Sequence, residues 1–373
     1  MKKMNSLKLF YCILYACFSL TTFASEAKIE KNLELQKELF GSQSGKIKLA
    51  ISLQWEGSQL EASNLEAIKL FRKKFASIDF FQFVNPAYFT KKDQDPQETA
   101  KKIKSAIYPE DSMGLQLLGW KSFIQDAKVI FRNSPTFWGN QLNDRSCLKD
   151  CGHEIPLSAY NKSEIRTLID HSLYLFDKYD LPKPHAFMAG GWMASNDVLE
   201  AAVESGFKYD FSGVPPHLVK SRIAKYPLFH WITELWNQTT AFSQPVPVPT
   251  RAGWITEVFN NAATLDYLST KDLIDLFDGY INLHRKYPNN NYVIHLGFYQ
   301  ETAAKTLPRL ESALQHIFAV SNKKNISLSM LKLLPPTSNK GSSDKNLDND
   351  AFQKTNTVNW DDFFRPDRAV YSH

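Results

Sequence analysis

The sequence predicts an α/β fold, a parallel sheet with helices outside it. Three observations carry that prediction. Hydrophobic period alternates between strand-like and helix-like from about residue 46 to residue 321. Helical stretches open on residues suited to capping, and Gly206 stands where a helix needs a left-handed stop before the next strand. With 373 residues, 43% hydrophobic and 13% aromatic, the chain can bury a large core.

Taken in order, 46–53 reads as a buried strand. A helix follows that Ser63 and Glu66 can open as a capping box, with Leu65, Ile68, Phe71 and Phe75 on one face. Residues 79–84 are again strand-like, 96–107 helical and 113–118 a strand. The helix over 163–178 turns Ile165, Leu168, Ile169, Leu175 and Phe176 inward, and a strand follows over 185–189. Ser195 caps a helix carrying Val198, Leu199, Ala202 and Val203, which ends at Gly206 before a strand over 207–211. Residues 213–256 are rich in proline and tryptophan and are expected to form long ordered loops, with Pro245 to Pro249 extended. A capped helix over 269–286, a strand over 292–296 and a last helix over 302–320 complete the alternation.

The two ends have a different character. Lys2, Lys3 and Lys8 precede the apolar run Leu9 to Leu20, and small residues follow before Ser25, so 1–24 reads as a signal peptide, too short for a membrane span. Lipid attachment at Cys17 is the alternative. Cleavage lowers the formal charge from +5 to +2, which is no nucleic-acid signature, and gives an expected periplasmic or secreted location. Residues 25–45 read as a linker, 46–335 as one domain, and 336–373 as a disordered tail with one aromatic stretch at Trp360 to Phe364. Cleavage also leaves Cys147 and Cys151 as the only thiols of an exported chain. A local disulfide is the plain reading, and a metal pair with His153 the alternative.

Four stretches carry a family resemblance: Ser52-Leu-Gln-Trp-Glu-Gly57, Gly114-Leu-Gln-Leu-Leu-Gly-Trp120, Phe187-Met-Ala-Gly-Gly-Trp192 and His295-Leu-Gly-Phe-Tyr-Gln-Glu301. Shorter ones lie at Asn85 to Phe89, Pro135 to Trp138, Cys151 to Tyr160 and Gly206 to Ser212. In order and spacing they resemble NodB-type polysaccharide deacetylases over residues 46–320. The resemblance implies an irregular (β/α) barrel and removal of acetyl groups from N-acetylated glycans such as peptidoglycan or chitin. It also implies a divalent metal, held by an aspartate and two histidines.

Such chemistry needs a nucleophile and a stabilised oxyanion, because an amide carbonyl resists neutral water. A metal with an open position lowers the pKa of its water from about 15.7 towards 7. At about 1.4 kcal/mol per unit, losing that shift forfeits up to about 12 kcal/mol of nucleophile activation. This chain departs from the pattern at the positions concerned. Gln54 stands where relatives have the acid that serves as base, and an amide cannot take that role. Gln116 and Leu118 stand in place of a His-x-His pair, Met188 in place of an arginine and Tyr299 in place of a histidine. No metal or other cofactor is therefore expected, zinc or another divalent ion being the alternative.

Glu56, Asp210 and His295 remain as candidate catalytic groups, with Ser212 and Glu301 beside them. Each has a structural alternative: Glu56 can bond backbone amides, Asp210 can cap a turn, and His295 can be a satisfied core histidine. His153 and Glu154 are expected to fix the cysteine loop. Trp120, Trp138, Trp192, Tyr88 and Tyr299 are candidates for stacking on sugar rings. Trp231, Trp236, Trp254 and Tyr160 are further aromatics near strand ends and loops. Gly190 and Gly191 suggest close backbone approach to a ligand.

Three functions follow as expectations. The first is a catalytically silent fold that binds an N-acetylated polysaccharide or a protein partner in the old cleft. The second is an active deacetylase with Glu56, Asp210 and His295 as a non-standard ligand set. The third is a metal-free hydrolase in which two carboxylates flank a glycosidic bond.

Overall fold

The computed structural model describes residues 27–41, 45–143, 145 and 147–333. The signal peptide, Cys17 and the tail over 336–373 lie outside the described residues. Eight strands follow one another in the order β6-β7-β5-β4-β3-β2-β1-β8. They are β1 (Ile47–Trp55), β2 (Phe81–Val84), β3 (Ser112–Leu117), β4 (Ala186–Ala189), β5 (Tyr209–Asp210), β6 (Val246–Thr250), β7 (Gly253–Glu257) and β8 (Tyr292–Tyr299). A short ninth strand, β9 (Leu328–Met330), pairs with the start of β1. All pairings are parallel except the β6–β7 hairpin. The sheet curls as an open barrel, and the chain after β7 crosses the gap between its ends. Val258 N–H donates to the Asp210 carbonyl (2.8 Å), Ala262 N–H to that of His295 (3.2 Å) and Leu265 N–H to that of Gly297 (2.8 Å). This is the irregular (β/α) barrel expected from the sequence.

Helices α2 (Ala62–Lys74), α3 (Pro96–Lys104), α4 (Lys121–Asp126), α5 (Lys162–Lys178), α6 (Asn196–Glu204), α7 (Pro216–Ile223), α8 (Pro227–Leu235), α9 (Thr270–Lys286) and α10 (Ala303–Lys324) flank the sheet. Helices α5 and α9 carry full capping boxes, Asn161 with Glu164 and Ser269 with Asp272. The box expected from Ser63 and Glu66 is absent. Helix α2 opens earlier, after Glu61 in place of Ser63, with no side-chain cap, and Asn64 instead bonds the Glu301 carbonyl (2.9 Å) and Ala304 N–H (2.9 Å).

Two expectations are corrected. Residues 213–256 are not long loops but two helices and a hairpin. Their prolines sit where the missing N–H is not needed: Pro216 and Pro227 in the first turns of α7 and α8, Pro247 and Pro249 on the edge strand β6. The span read as a linker contains a helix, α1, over residues 27–40. Its Leu35, Leu39 and Phe40 are buried in the inner cluster with Ala50, Phe81, Tyr209, Val293 and Leu331, closing the end of the barrel where the strands begin. Lys48 Nζ bonds the Leu39 carbonyl (2.5 Å), and Tyr209 donates its hydroxyl to Glu38. Among the described residues no helix is long and apolar enough to cross a membrane.

Candidate functional site

The site lies where the strands end, because parallel strands direct their carboxyl ends to one face. Side chains alternate along each strand. On β1, Leu49, Ile51, Leu53 and Trp55 pack under the helices, so Ala50, Ser52 and Gln54 point into the barrel. Glu56 extends that inner column to the rim. The same alternation turns Gln116 of β3, Met188 of β4 and His295 of β8 inward. Asp210 faces the other way, since its neighbours Tyr209 and Phe211 both belong to the inner cluster. Glu56, Gln116, Asp210 and His295 therefore do not converge: period two sends Asp210 to the outer face.

His295 is fully buried, its Nε2 2.7 Å from Ser52 Oγ and its ring edge-on to Phe211. Burial pulls its pKa down to about 3, so it is neutral at physiological pH and serves as a core histidine. Gly297 lies alongside. A Cβ there would come within 2.9 Å of Gln54 Nε2 and 3.0 Å of Ser52 Oγ, so glycine makes the room these polar groups occupy. Above them, Gln54 Nε2 and Gln116 Oε1 are buried without a hydrogen-bond partner. So are both side-chain atoms of Asn260, on the segment that crosses the barrel gap. A buried polar atom left unpaired costs about 1–3 kcal/mol. These unpaired atoms are unused hydrogen-bonding capacity that a water or a ligand group would satisfy.

At the rim, Glu301 accepts Glu56 N–H (3.2 Å), Ser58 N–H (3.4 Å) and the Tyr88 hydroxyl (2.7 Å). Burial raises the Glu301 carboxyl, and these donors oppose that rise by favouring its ionised form. Burial, reinforced by the charges of Glu301 and Asp266, pushes the Glu56 carboxyl up to about 8. At neutral pH Glu56 is thus a protonated hydrogen-bond donor. Burial also raises the hydroxyls of Tyr88 and Tyr299 well above the usual range and that of Tyr267 beyond it. The mouth thus sets the neutral groups of Glu56, Tyr88, Tyr267 and Tyr299 beside the carboxyls of Glu301, held by backbone amides, and Asp266, held by the Thr302 hydroxyl. Sequence reasoning missed Asn260, Asp266 and Tyr267, which lie on the crossing segment and belong to no motif.

On the outer face, Asp210 and Glu257 sit opposite each other in register, both fully buried. Asp210 Oδ1 accepts from Ser212 (2.7 Å) and Glu257 Oε1 from Gly213 N–H (2.8 Å). The remaining oxygens, Asp210 Oδ2 and Glu257 Oε2, are buried and receive no hydrogen bond. Burial raises both pKa values, and the Asp210 charge raises Glu257 further. The stability this contributes is therefore full below the ordinary carboxylate range and is lost as pH rises towards the folded-state titration. Glu257→Gln is expected to flatten that fall, which for one proton reaches about 1.4 kcal/mol per pH unit. Urea denaturation of native and variant chains from pH 5 to 9 checks it, and parallel profiles would contradict the raised titration of the Glu257 carboxyl.

The aromatic candidates divide sharply. Trp120 is buried, with His153 stacked on its ring (4.6 Å between centroids), Lys91 Nζ over it (3.6 Å) and its Nε1 donating to the Glu56 carbonyl (2.6 Å). It is a strut for the rim and not an open platform. Trp192 and Tyr88 are likewise buried, and Trp236 Nε1 bonds the Trp192 carbonyl (2.8 Å). Tyr160 is buried beside the Arg132 guanidinium. Trp138, 40% exposed, and half-buried Tyr299 remain reachable. Gly190 and Gly191 are packed by the protein itself, since a Cβ would meet the Leu118 side chain at 2.0 Å and the Phe137 ring at 2.3 Å. The expected approach to a ligand is thus an internal contact.

Cys147 and Cys151 are joined, and His153 and Glu154 fix their loop: Glu154 lies 3.1 Å from His153 Nδ1 and accepts Gly152 N–H (3.3 Å). At the positions where the resemblance implies metal ligands, Gln54, Gln116 and Met188 offer a divalent ion no anionic or imidazole donor, and Leu118 packs beneath Gly190, while His295 on the same face is engaged with Ser52. Among the described residues no three His, Cys, Asp or Glu side chains gather to hold an ion.

No protein-family model matches the chain, and no curated protein sequence does. Solved structures are similar to it in fold at low identity. One, provisionally named a polysaccharide deacetylase, from Mycobacterium smegmatis, is 10% identical over 82% of this chain and 100% of its own, with a TM-score of 0.46. A family 4 carbohydrate esterase from Streptomyces lividans in complex with acetate is 8% identical over 79% and 100%, with a TM-score of 0.36. A CE4 family pseudoenzyme from Bacillus anthracis is 9% identical over 77% of this chain and 64% of its own, with a TM-score of 0.35.

Proposed function

We propose that the chain is an exported, periplasmic or secreted, deacetylase-like protein that binds an N-acetylated glycan at the barrel mouth and lacks metal-dependent deacetylation. The observation that carries this reading is the set of unpaired, buried amides of Gln54, Gln116 and Asn260 beneath a protonated Glu56. An acetamido group is their complement: its carbonyl accepts from an amide N–H or the Glu56 hydroxyl, and its N–H donates to an amide oxygen. Tyr299, half-buried at the end of β8, can pack against the sugar ring. The non-standard ligand set is disfavoured, because Asp210 lies on the opposite face of the sheet and His295 is engaged with Ser52.

The test is calorimetric titration with chitotetraose and with its fully N-deacetylated counterpart between pH 6 and 9.5. The acetylated form is expected to bind, and to weaken as pH rises through about 8, where Glu56 stops donating. Glu56→Gln is expected to retain binding and remove the pH dependence. Equal binding of both oligosaccharides, or a native affinity that does not change with pH, would overturn the reading.

A further inference from the structure

A second cleft, of about 620 Å³, opens beside the disulfide loop. Such a volume suits a small ligand. Its walls include Lys121, Phe131, Asn133, Gln141, Asn143 and Cys147. Lys121 opens α4, one residue beyond Trp120, so the cleft adjoins the rim. The Leu142 N–H to Asn133 carbonyl bond (3.0 Å) closes a turn around the cleft, and Lys121 N–H donates to the Cys151 carbonyl (2.7 Å). The disulfide thus both lines the cleft and ties down the backbone that carries its cation.

Lys121 is the informative residue. It is half-buried, its Nζ lies 5.6 Å from the Phe131 ring centroid, and no carboxylate pairs with it among the described residues. The neighbouring cations are treated differently: Lys91 is bridged to Asp150 (2.9 Å) and Arg132 to Glu164 (2.8 Å). An unpaired ammonium between amide side chains and an aromatic face has a recognisable complement. The ligand carries a carboxylate for Lys121, hydroxyls for Asn133 and Gln141, and a C–H face for Phe131. One aromatic ring among several amides suits a hydroxyl-rich ligand better than the apolar anchor of a peptide.

We propose that this cleft is a second saccharide site, selective for sugars that bear a carboxylate, and that the Cys147–Cys151 bond holds it in shape. It is independent of the mouth, since its ligand need carry no acetamido group. The test is calorimetry on the oxidised full chain at low salt, with trigalacturonate and neutral galactotriose as probes. Trigalacturonate is expected to bind at least about tenfold more tightly, a difference of about 1.4 kcal/mol, and to lose that advantage as salt is raised.

Lys121→Met is expected to bring the two probes to parity with little change in the melting temperature, because its side chain makes no ion pair among the described residues and methionine keeps an apolar contact with Phe131. Lys121→Arg is expected to keep most of the preference. Reducing the disulfide is expected to weaken trigalacturonate binding several-fold. No binding of trigalacturonate, equal binding of both probes by the native chain, full preference in Lys121→Met, or tighter binding of an oligoglutamate peptide would overturn the proposal.

Discussion

Replacing Asp111 by alanine is expected to destabilise the fold by about 3–5 kcal/mol, because it strands a buried guanidinium. Asp111 accepts four donors: Arg72 Nη1 (2.7 Å), Phe80 N–H (2.8 Å), Gln82 Nε2 (2.8 Å) and Tyr108 N–H (3.0 Å). Arg72 is 2% exposed and lies against the rings of Tyr108 (3.9 Å) and Phe80 (4.5 Å), so no water replaces the lost carboxylate. Gln82 also takes the Trp55 indole N–H (2.9 Å), which links the hub to the strand that carries Gln54. Removing both charges with Arg72→Met and Asp111→Asn together is expected to cost less than Asp111→Ala alone. Urea denaturation at unchanged m-value measures both, and a loss below about 1 kcal/mol in the single variant would show that the ion pair is not the hub described.

Combining Gln54→Asp with Gln116→His is expected to raise zinc affinity at least about a hundredfold, or about 2.7 kcal/mol, without restoring acetate release. Both positions are on the inner face, and Glu56 stands above them as a further carboxylate that a cation would ionise. Turnover is expected to remain absent because Met188 supplies no charge to orient a base. Adding Leu118→His is expected to gain little, since that side chain packs under Gly190 and an imidazole would have to leave its place to reach an ion. Chelator competition gives the affinity and acetate assays on peptidoglycan or chitooligosaccharide the turnover. Zinc-dependent acetate release by the unmodified chain would defeat both this expectation and the silent reading.

The β-α alternation was legible because each strand is a short apolar run set off by capped helices. Asn161, Ser269 and Gly206 mark boundaries through local chemistry that acts within one turn. The helices at Pro216 and Pro227 were hidden because proline reads as a breaker unless its place in the first turn is known. Helix α1 was hidden for another reason: its stabilisation comes from Tyr209, Lys48 and Leu331, far away in sequence. At the site, Glu56 and Gln54 were found because they end one strand, and their shared face follows from period two. The same rule separates Asp210, but its application needs the knowledge of which face is inner. The partner of Asp210, Glu257, ends a strand whose other residues fall in the proline-rich stretch, where the sequence pattern points to loop.

The barrel plug has a consequence for orientation. Leu39 near the start of the described chain and Leu331 near its end share one cluster under the barrel floor, opposite the mouth. A fusion partner, a surface linker or a lipid joined at either side of that floor would hold the molecule with its mouth facing outward. Attachment beside residue 27 or residue 333 would thus leave the carboxyl ends of the strands open on a bead or a cell surface.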